Sequence, residues 1–140
     1  MNPVLLYRLA AILLVLFAAG HQLGFRRAAP EWHAEAVVQA MQGTRFSVQG
    51  FNRGYWDFFS GFGFFVTILL LFSAVLAWRL AGISSVARGE LSLVCWAFAL
   101  AYVGIAAMTW RYFFVAPGIF ASVVAACLLL AAWAGTLAQV

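Results

Sequence analysis

Three short segments contain most of the side chains that could bind or transform a ligand: His21 with Gln22, residues 53–57 and residues 110–112. A histidine, a carboxylate and an arginine in one place could form an acid–base pair beside a cation that neutralises an anionic group. The same groups also suit binding alone, because a few polar side chains in an apolar site orient a ligand. The predicted ligand-binding residues are His21, Arg53, Tyr55, Trp56, Asp57, Tyr102, Trp110, Arg111 and Tyr112.

Asp57 is central to both interpretations, because it is the one carboxylate attached directly to a predicted membrane span. In the first turn of a helix, an acidic residue is stabilised by the positive end of the helix dipole, which is a purely structural role. It could also pair with Arg53, one turn earlier. The functional interpretation instead pairs Asp57 with Arg111 or His21, in a desolvated polar cluster that holds a ligand. The sequence leaves both roles open.

The elements that position these residues follow from composition. Of the 140 residues, 66% are apolar and 9% are charged, and the mean hydropathy is +1.00. Soluble domains carry about 25% charged residues, so the sequence predicts an integral membrane protein. A helix needs about 20 apolar residues to cross a bilayer. The four apolar runs of that length predict spans at about 4–25, 55–78, 91–110 and 117–138.

The one long polar stretch, residues 26–54, separates the first two spans. Between residues 31 and 42, apolar side chains recur at helical spacing opposite glutamates and glutamines. Twelve residues are too short to cross a membrane, so this pattern predicts an amphipathic helix on the membrane surface. The predicted fold class is all-α. It is a single membrane domain, 1–140, built as a four-helix up-down bundle with one short surface helix in the first loop.

An up-down order of the four spans would bring the three chemical segments to the mouth of the bundle on the long-loop side. There, His21, Asp57 and Arg111 are expected to converge. Deeper in the bundle, the Tyr102 hydroxyl needs an acceptor, for which Thr67 is a candidate. Tyr102 could equally line a ligand cavity that runs down from the mouth. One face of span two carries, at helical spacing, Asp57, Ser60, Gly61, Phe64 and Thr67. Small and hydroxyl residues on such a face either pack membrane helices together or line a ligand cavity.

Several other functions are disfavoured by the residue inventory. A metal site needs three or four converging ligands, and the two histidines with their neighbours do not assemble one. Cys95 and Cys127 differ in depth by roughly 10 Å at 1.5 Å rise per residue. They are therefore too far apart for a disulfide and are expected to be free thiols. No basic stripe interleaved with exposed aromatics points to nucleic acid, and no cofactor is predicted.

Three strings also carry a resemblance: Gly20 to Phe25, Arg53 to Phe64, and Trp110 to Phe114 with Pro117. Together they resemble an uncharacterised family of small bacterial inner-membrane proteins with four helices, and the likeness covers nearly the whole chain. A second likeness, of topology and the first string, is to DoxX-like membrane proteins, which include subunits linked to quinone chemistry. The resemblance implies a multi-pass protein of the bacterial inner membrane, and it implies no activity.

These patterns predict a small membrane protein that binds a lipophilic ligand, lipid or quinone-like, or a membrane partner protein, at the mouth on the long-loop side. The alternative is a membrane enzyme acting on a lipophilic substrate, with His21 and Asp57 as its acid–base pair. The expected partners are membrane lipids, a further copy of the chain or a membrane partner protein. A plain count of loop arginines favours a cytoplasmic long loop. If Arg53 and Arg111 are fixed in a site, that excess disappears, and folded loops often cross a membrane regardless of their charge. The predicted orientation therefore has both termini in the cytoplasm.

Overall fold

The computed structural model describes residues 2–137 and is mostly helical. Its helices are α1 (Pro3–Gly24), α2 (Glu35–Gly43), α3 (Tyr55–Gly82), α4 (Ser85–Glu90), α5 (Ser92–Tyr112) and α6 (Val115–Leu137). The other described elements are a 3-10 turn at Pro30–Trp32 and two strands, β1 (Arg45–Val48) and β2 (Phe51–Gly54). By length and composition, α1, α3, α5 and α6 could each cross a membrane.

The four predicted spans correspond to these four long helices, with ends that differ by at most four residues. The largest difference is in α3, which continues past Trp78 to Gly82. Leu80 and Ala81 are buried in this last turn, so their apolar contacts favour a helix that continues past the predicted end of the span. Ala138, the predicted end of span four, lies outside the described residues.

The chain divides into two compact units. One, here called the core unit, comprises Met1–Phe17 and Leu70–Val140, and the other, the hairpin unit, comprises Ala18–Leu69. The boundaries between the units fall within α1 and α3, so each of these two helices has one part in each unit. The prediction of a single membrane domain stays a prediction.

The core unit is built on small side chains that let its helices approach closely. Its buried alanines are Ala10, Ala11, Ala74, Ala77, Ala81, Ala99, Ala121, Ala125, Ala131 and Ala132. The indole N–H of Trp110 donates to the Ser122 hydroxyl at 2.9 Å, and its ring covers Gly118, where a Cβ would come within 2.9 Å of it. These contacts join α5 to α6 across a link of two residues. Cys95 and Cys127 are buried and unpaired, as predicted.

The helix predicted at residues 31–42 is shorter in the structure and starts later. The chain first makes the 3-10 turn that begins at Pro30, and His33 then adopts a φ of 49°. A residue in this left-handed region ends a helical turn, so α2 can begin only at Glu35. The prediction of a helix is therefore right for 35–42 and wrong for its first four residues.

The last part of the polar stretch, for which the sequence predicted no helix, folds back on itself as an antiparallel β-hairpin. Arg45 pairs with Gly54, and Val48 pairs with Phe51. Gln49 and Gly50 form the turn with φ values of 50° and 84°. Positive φ at both central residues matches the twist of paired strands. The hairpin is an addition to the mostly helical fold that the sequence predicted.

Candidate functional site

The candidate site is built on the junction where β2 passes into α3. Asp57 is the third residue of α3, and its Oδ2 accepts the backbone N–H of Gly54 at 2.9 Å. This bond satisfies one of the free N–H groups at the helix start. A Cβ at Gly54 would lie 2.7 Å from the Thr44 carbonyl oxygen, so this position requires glycine. The junction thereby fixes Asp57 against the hairpin.

An ion pair crosses from the hairpin to the helix. Arg45, on β1, donates from Nη1 to the same Oδ2 of Asp57 at 2.5 Å. The side chains of Arg45 and Asp57 are 55% and 39% exposed, so solvent screens their attraction. The pair therefore orients the two side chains more than it stabilises the fold. The ion-pair partner of Asp57 is thus neither Arg53 nor His21, which are two of the three partners predicted for it.

A cleft of about 380 Å³ opens beside this ion pair. It is lined by Arg45, Asn52, Arg53, Asp57, Ser60, Gly61 and Phe64. Four of these residues belong to the face of α3 that the sequence singled out. The Ser60 hydroxyl oxygen is buried and has no hydrogen-bond partner in the described chain. Buried hydroxyls are normally bonded, and the volume lies within the range of small-molecule sites, so these features together suit an incoming polar group.

The cleft has one positive charge in excess. Asp57 neutralises Arg45, while Arg53 donates one N–H of Nη1 to the carbonyl oxygen of Asn52 at 3.0 Å. The Arg53 guanidinium also lies 5.2 Å from the centre of the Phe51 ring. It therefore keeps most of its five N–H donors for another partner. A planar guanidinium with free donors suits carboxylate and phosphate oxygens.

Two aromatic residues predicted in the site, Tyr55 and Trp56, begin α3 and pack on other aromatic rings. The Tyr55 ring packs against Phe46 at 5.2 Å between centroids, and Phe58 stacks on the same ring at 6.0 Å. Trp56 packs against Phe59 at 5.5 Å. The two contacts of Phe46 hold β1 against the first turns of α3, whereas the contact between Trp56 and Phe59 lies within α3. Neither Tyr55 nor Trp56 is among the residues that line the cleft.

His21 does not pair with Asp57. Its Nδ1 lies 3.1 Å from the Thr67 hydroxyl oxygen, and Thr67 follows Asp57 by ten residues, a rise of about 15 Å along α3. The predicted acid–base pair is therefore not formed. The cause is the packing of Phe25, whose ring covers Gly63 and so sets the end of α1 beside the middle of α3.

The Thr67 hydroxyl joins the end of α1 to α3 in a small polar network. Besides His21, it contacts Gln22 Oε1 at 3.1 Å and the Gly63 carbonyl oxygen at 3.2 Å. A hydroxyl has one proton to donate. The network is therefore best satisfied when His21 carries a proton on Nδ1 and donates it to the Thr67 hydroxyl oxygen. The Thr67 hydroxyl thus has His21, Gln22 and Gly63 as its partners. The Tyr102 hydroxyl, for which Thr67 was a candidate partner, lies beside Ser73.

The remaining predicted site residues belong to the core unit. Tyr102 is 3% exposed, Trp110 bonds to Ser122, and the Arg111 guanidinium lies 5.3 Å from the centre of the Tyr112 ring. Since Asp57 already has Arg45 as its ion-pair partner, it does not depend on Arg111. The predicted convergence of Arg111 with the mouth stays a prediction.

Arg45 and Asn52 are the cleft residues that the sequence did not identify as candidates. Both lie on the hairpin, so they could be placed only by recognising its strands. The available signal is a pair of short segments, Arg45–Val48 and Phe51–Gly54, around Gln49-Gly50. Gln-Gly is a weaker hairpin signal than Asn-Gly or Asp-Gly.

Neither a metal cluster nor a relative identifies the site. Within residues 2–137, no three His, Cys, Asp or Glu side chains are grouped as metal ligands. Comparisons with protein-family models, curated proteins and solved structures find no match for this chain. The function therefore has to be inferred from the cleft.

Proposed function

We propose that this chain is a multi-pass membrane protein that binds the polar end of a lipophilic molecule, lipid or quinone-like, in the hairpin cleft. The proposal rests on one observation: the cleft combines an arginine in excess with a buried, unpartnered hydroxyl. Arg53 would contact an anionic or carbonyl oxygen, and Ser60 would supply a second hydrogen bond. The pair of Arg45 and Asp57 would hold the hairpin wall in place.

The lengths of the helices support a position for the cleft at the membrane surface. The 28 residues of α3 extend for about 42 Å, against a hydrocarbon thickness of about 30 Å. Part of α3 must therefore project from the hydrocarbon if the helix crosses without tilting strongly. Its first turn carries Asp57 and is attached to a polar hairpin, so this end is the one that we place among the headgroups.

The outer face of α3 next to the cleft suits an acyl or prenyl tail. Phe58, Phe62 and Phe65 are 42%, 65% and 62% exposed there. Large exposed aromatic side chains on a long apolar helix are favourable against lipid. A molecule with its polar end at Arg53 could therefore lay its tail along this face without leaving the bilayer.

The up-down bundle and the orientation belong to the same proposal. We place α2 on the membrane surface and both termini in the cytoplasm of a bacterial cell. Reporters fused after Val140 test the orientation: green fluorescent protein should fluoresce, and alkaline phosphatase should stay inactive. The opposite pattern would put the long loop in the cytoplasm.

The enzymatic alternative is not favoured by a specific observation. It requires His21 and Asp57 to exchange a proton, but His21, on α1, lies beside Thr67, ten residues after Asp57 on α3. Binding of a membrane partner protein would use the same exposed phenylalanines, and it is distinguished by the experiment below.

The test is a comparison of the lipids that copurify with three proteins in mild detergent, measured by mass spectrometry. Arg53→Gln removes the excess charge, and Arg27→Gln is the matched control, because Arg27 is exposed and is not a lining residue. A charged hydrogen bond contributes about 1.5 kcal/mol, so Arg53→Gln should lower the bound ligand by roughly tenfold, and Arg27→Gln should leave it unchanged. Equal retention in all three proteins, or a copurifying protein in place of a lipid, would contradict the proposal.

A further inference from the structure

A buried arginine in the core unit is only partly explained by its contacts. Arg88, on α4, is 6% exposed. It donates from Nε to the Leu80 carbonyl oxygen at 3.0 Å and from Nη2 to the Ile83 carbonyl oxygen at 2.6 Å. These carbonyls lie at and just beyond the end of α3, so Arg88 caps that helix and faces the negative end of its dipole. Capping uses two of the five N–H donors of a guanidinium.

The charge of Arg88 has no carboxylate partner within the described residues. Glu90 is the one acidic side chain in the sequence of the core unit, and it is exposed to solvent. A buried cation without a counter-charge is costly unless other groups compensate it. The dipole of α3 supplies only a partial negative charge, so the site retains a need for an anion.

The hydroxyl of Tyr7 is a second buried polar group that lacks a partner among the described residues, and it lies at the same cavity as Arg88. Tyr7, on α1, is completely buried, and its hydroxyl makes no hydrogen bond to the described chain. The Cys95 thiol lies beside it without completing a bond of normal geometry. Tyr7, Arg88, Ser92 and Cys95 together line a cavity of about 10 Å³, and small residues of α6 complete its lining. A cavity of this size has room for one water-sized particle.

We propose that this cavity binds a single chloride ion between the Tyr7 hydroxyl and the Arg88 guanidinium. The charged and polar side chains named at the cavity all carry N–H, O–H or S–H donors, and none is a carboxylate. An anion accepts from several donors at once and neutralises the buried charge, which a water molecule does not. A single-atom anion suits this volume better than phosphate or sulfate does. The ion would couple the start of α1 to α4 and α5.

Thermal unfolding in detergent tests the proposal, with chloride exchanged for gluconate at constant ionic strength. The melting temperature of the wild type should rise with chloride by equal increments for each tenfold increase above Kd. Bromide should act like chloride, and sulfate should not. A water molecule in the cavity would give the same melting temperature in chloride and gluconate, and that result would overturn the proposal.

Tyr7→Phe supplies a variant that need not unfold. It removes a hydroxyl that lacks a partner without the ion, so in gluconate it should be at least as stable as the wild type. In chloride it should lose most of the increment, which reverses the order of the two proteins. Tyr102→Phe is the matched control for a buried tyrosine away from the cavity and should keep the increment. An increment retained in Tyr7→Phe would contradict the site.

Cys95 offers a local readout beside the cavity. In a Cys127→Ala background it is the single thiol of the chain, and its labelling by a maleimide reports local opening. Chloride should slow this labelling at least severalfold, and Tyr7→Phe should abolish the effect. Labelling that does not respond to chloride would show that the ion acts elsewhere.

Discussion

The contact between His21 and Thr67 makes a quantitative prediction that separates the structure from the arrangement expected from sequence. His21→Phe keeps a ring that can stack on Phe25, now 5.0 Å away, and Thr67→Val keeps the shape of the side chain. Each change removes the hydrogen bond. Coupling energies between polar side chains of membrane helices average about 0.6 kcal/mol and reach about 1.7 kcal/mol. A double-mutant cycle on this pair should give a value in that range.

The single substitution Thr67→Val should cost more than the coupling alone, because it also removes the partner of Gln22. Loss of a hydrogen bond that leaves a buried group unpaired costs about 1–3 kcal/mol, so we expect about 1–2 kcal/mol at this half-buried position. Thr67→Ser keeps the hydroxyl and should recover most of the loss. Reversible unfolding by sodium dodecyl sulfate in mixed micelles, followed by circular dichroism, measures these differences.

The same cycle on His21 and Asp57 should be additive, because groups more than about 10 Å apart without shared partners do not couple. Coupling between His21 and Asp57, together with none between His21 and Thr67, would refute the reasoning. It would mean that the end of α1 lies beside the first turn of α3, as the acid–base interpretation requires.

Two further predictions concern packing and thiols. Gly63→Ala should lower the free energy of unfolding by about 1–3 kcal/mol, because its methyl group would overlap the Phe25 ring. Gly61→Ala, where nothing lies within 4 Å of the added carbon, should be neutral or gain up to about 1 kcal/mol from helix propensity. A higher unfolding midpoint for Gly63→Ala than for Gly61→Ala would contradict the packing of the Phe25 ring on Gly63. Maleimide labelling of the denatured chain without reductant should detect both Cys95 and Cys127 as free thiols, and a count of zero would contradict their separate burial.

The four long helices could be predicted because hydropathy and length depend on composition alone. The hairpin could not, since its strands have only four residues each and its Gln49-Gly50 turn is a weak local signal. Pairing between β1 and β2, and the packing of Phe46 under Tyr55, supply the stability that neither strand has by itself. The start of α2 was misplaced because His33 takes a left-handed conformation that helical periodicity does not reveal.

The candidate site was predicted in part for a similar reason. Helical spacing correctly grouped Asp57, Ser60, Gly61 and Phe64 on one face of α3, since that depends only on position within one helix. Which turn of α3 lies beside His21 depends on how the end of α1 packs against α3. That packing is set by the Phe25 ring, which covers Gly63. Arg45 reaches Asp57 only through the hairpin, so no pattern within the helices could identify it.

The most direct test of the central claim is to map where a lipid headgroup contacts the protein. An anionic phospholipid with a photoreactive diazirine in its headgroup is incorporated with the purified protein into nanodiscs, irradiated, and the labelled peptides are identified by mass spectrometry. We expect adducts concentrated in residues 45–64, reduced by Arg53→Gln and unaffected by Arg27→Gln. Adducts spread evenly over the ends of all four long helices, with no change in Arg53→Gln, would contradict a headgroup site in the hairpin cleft.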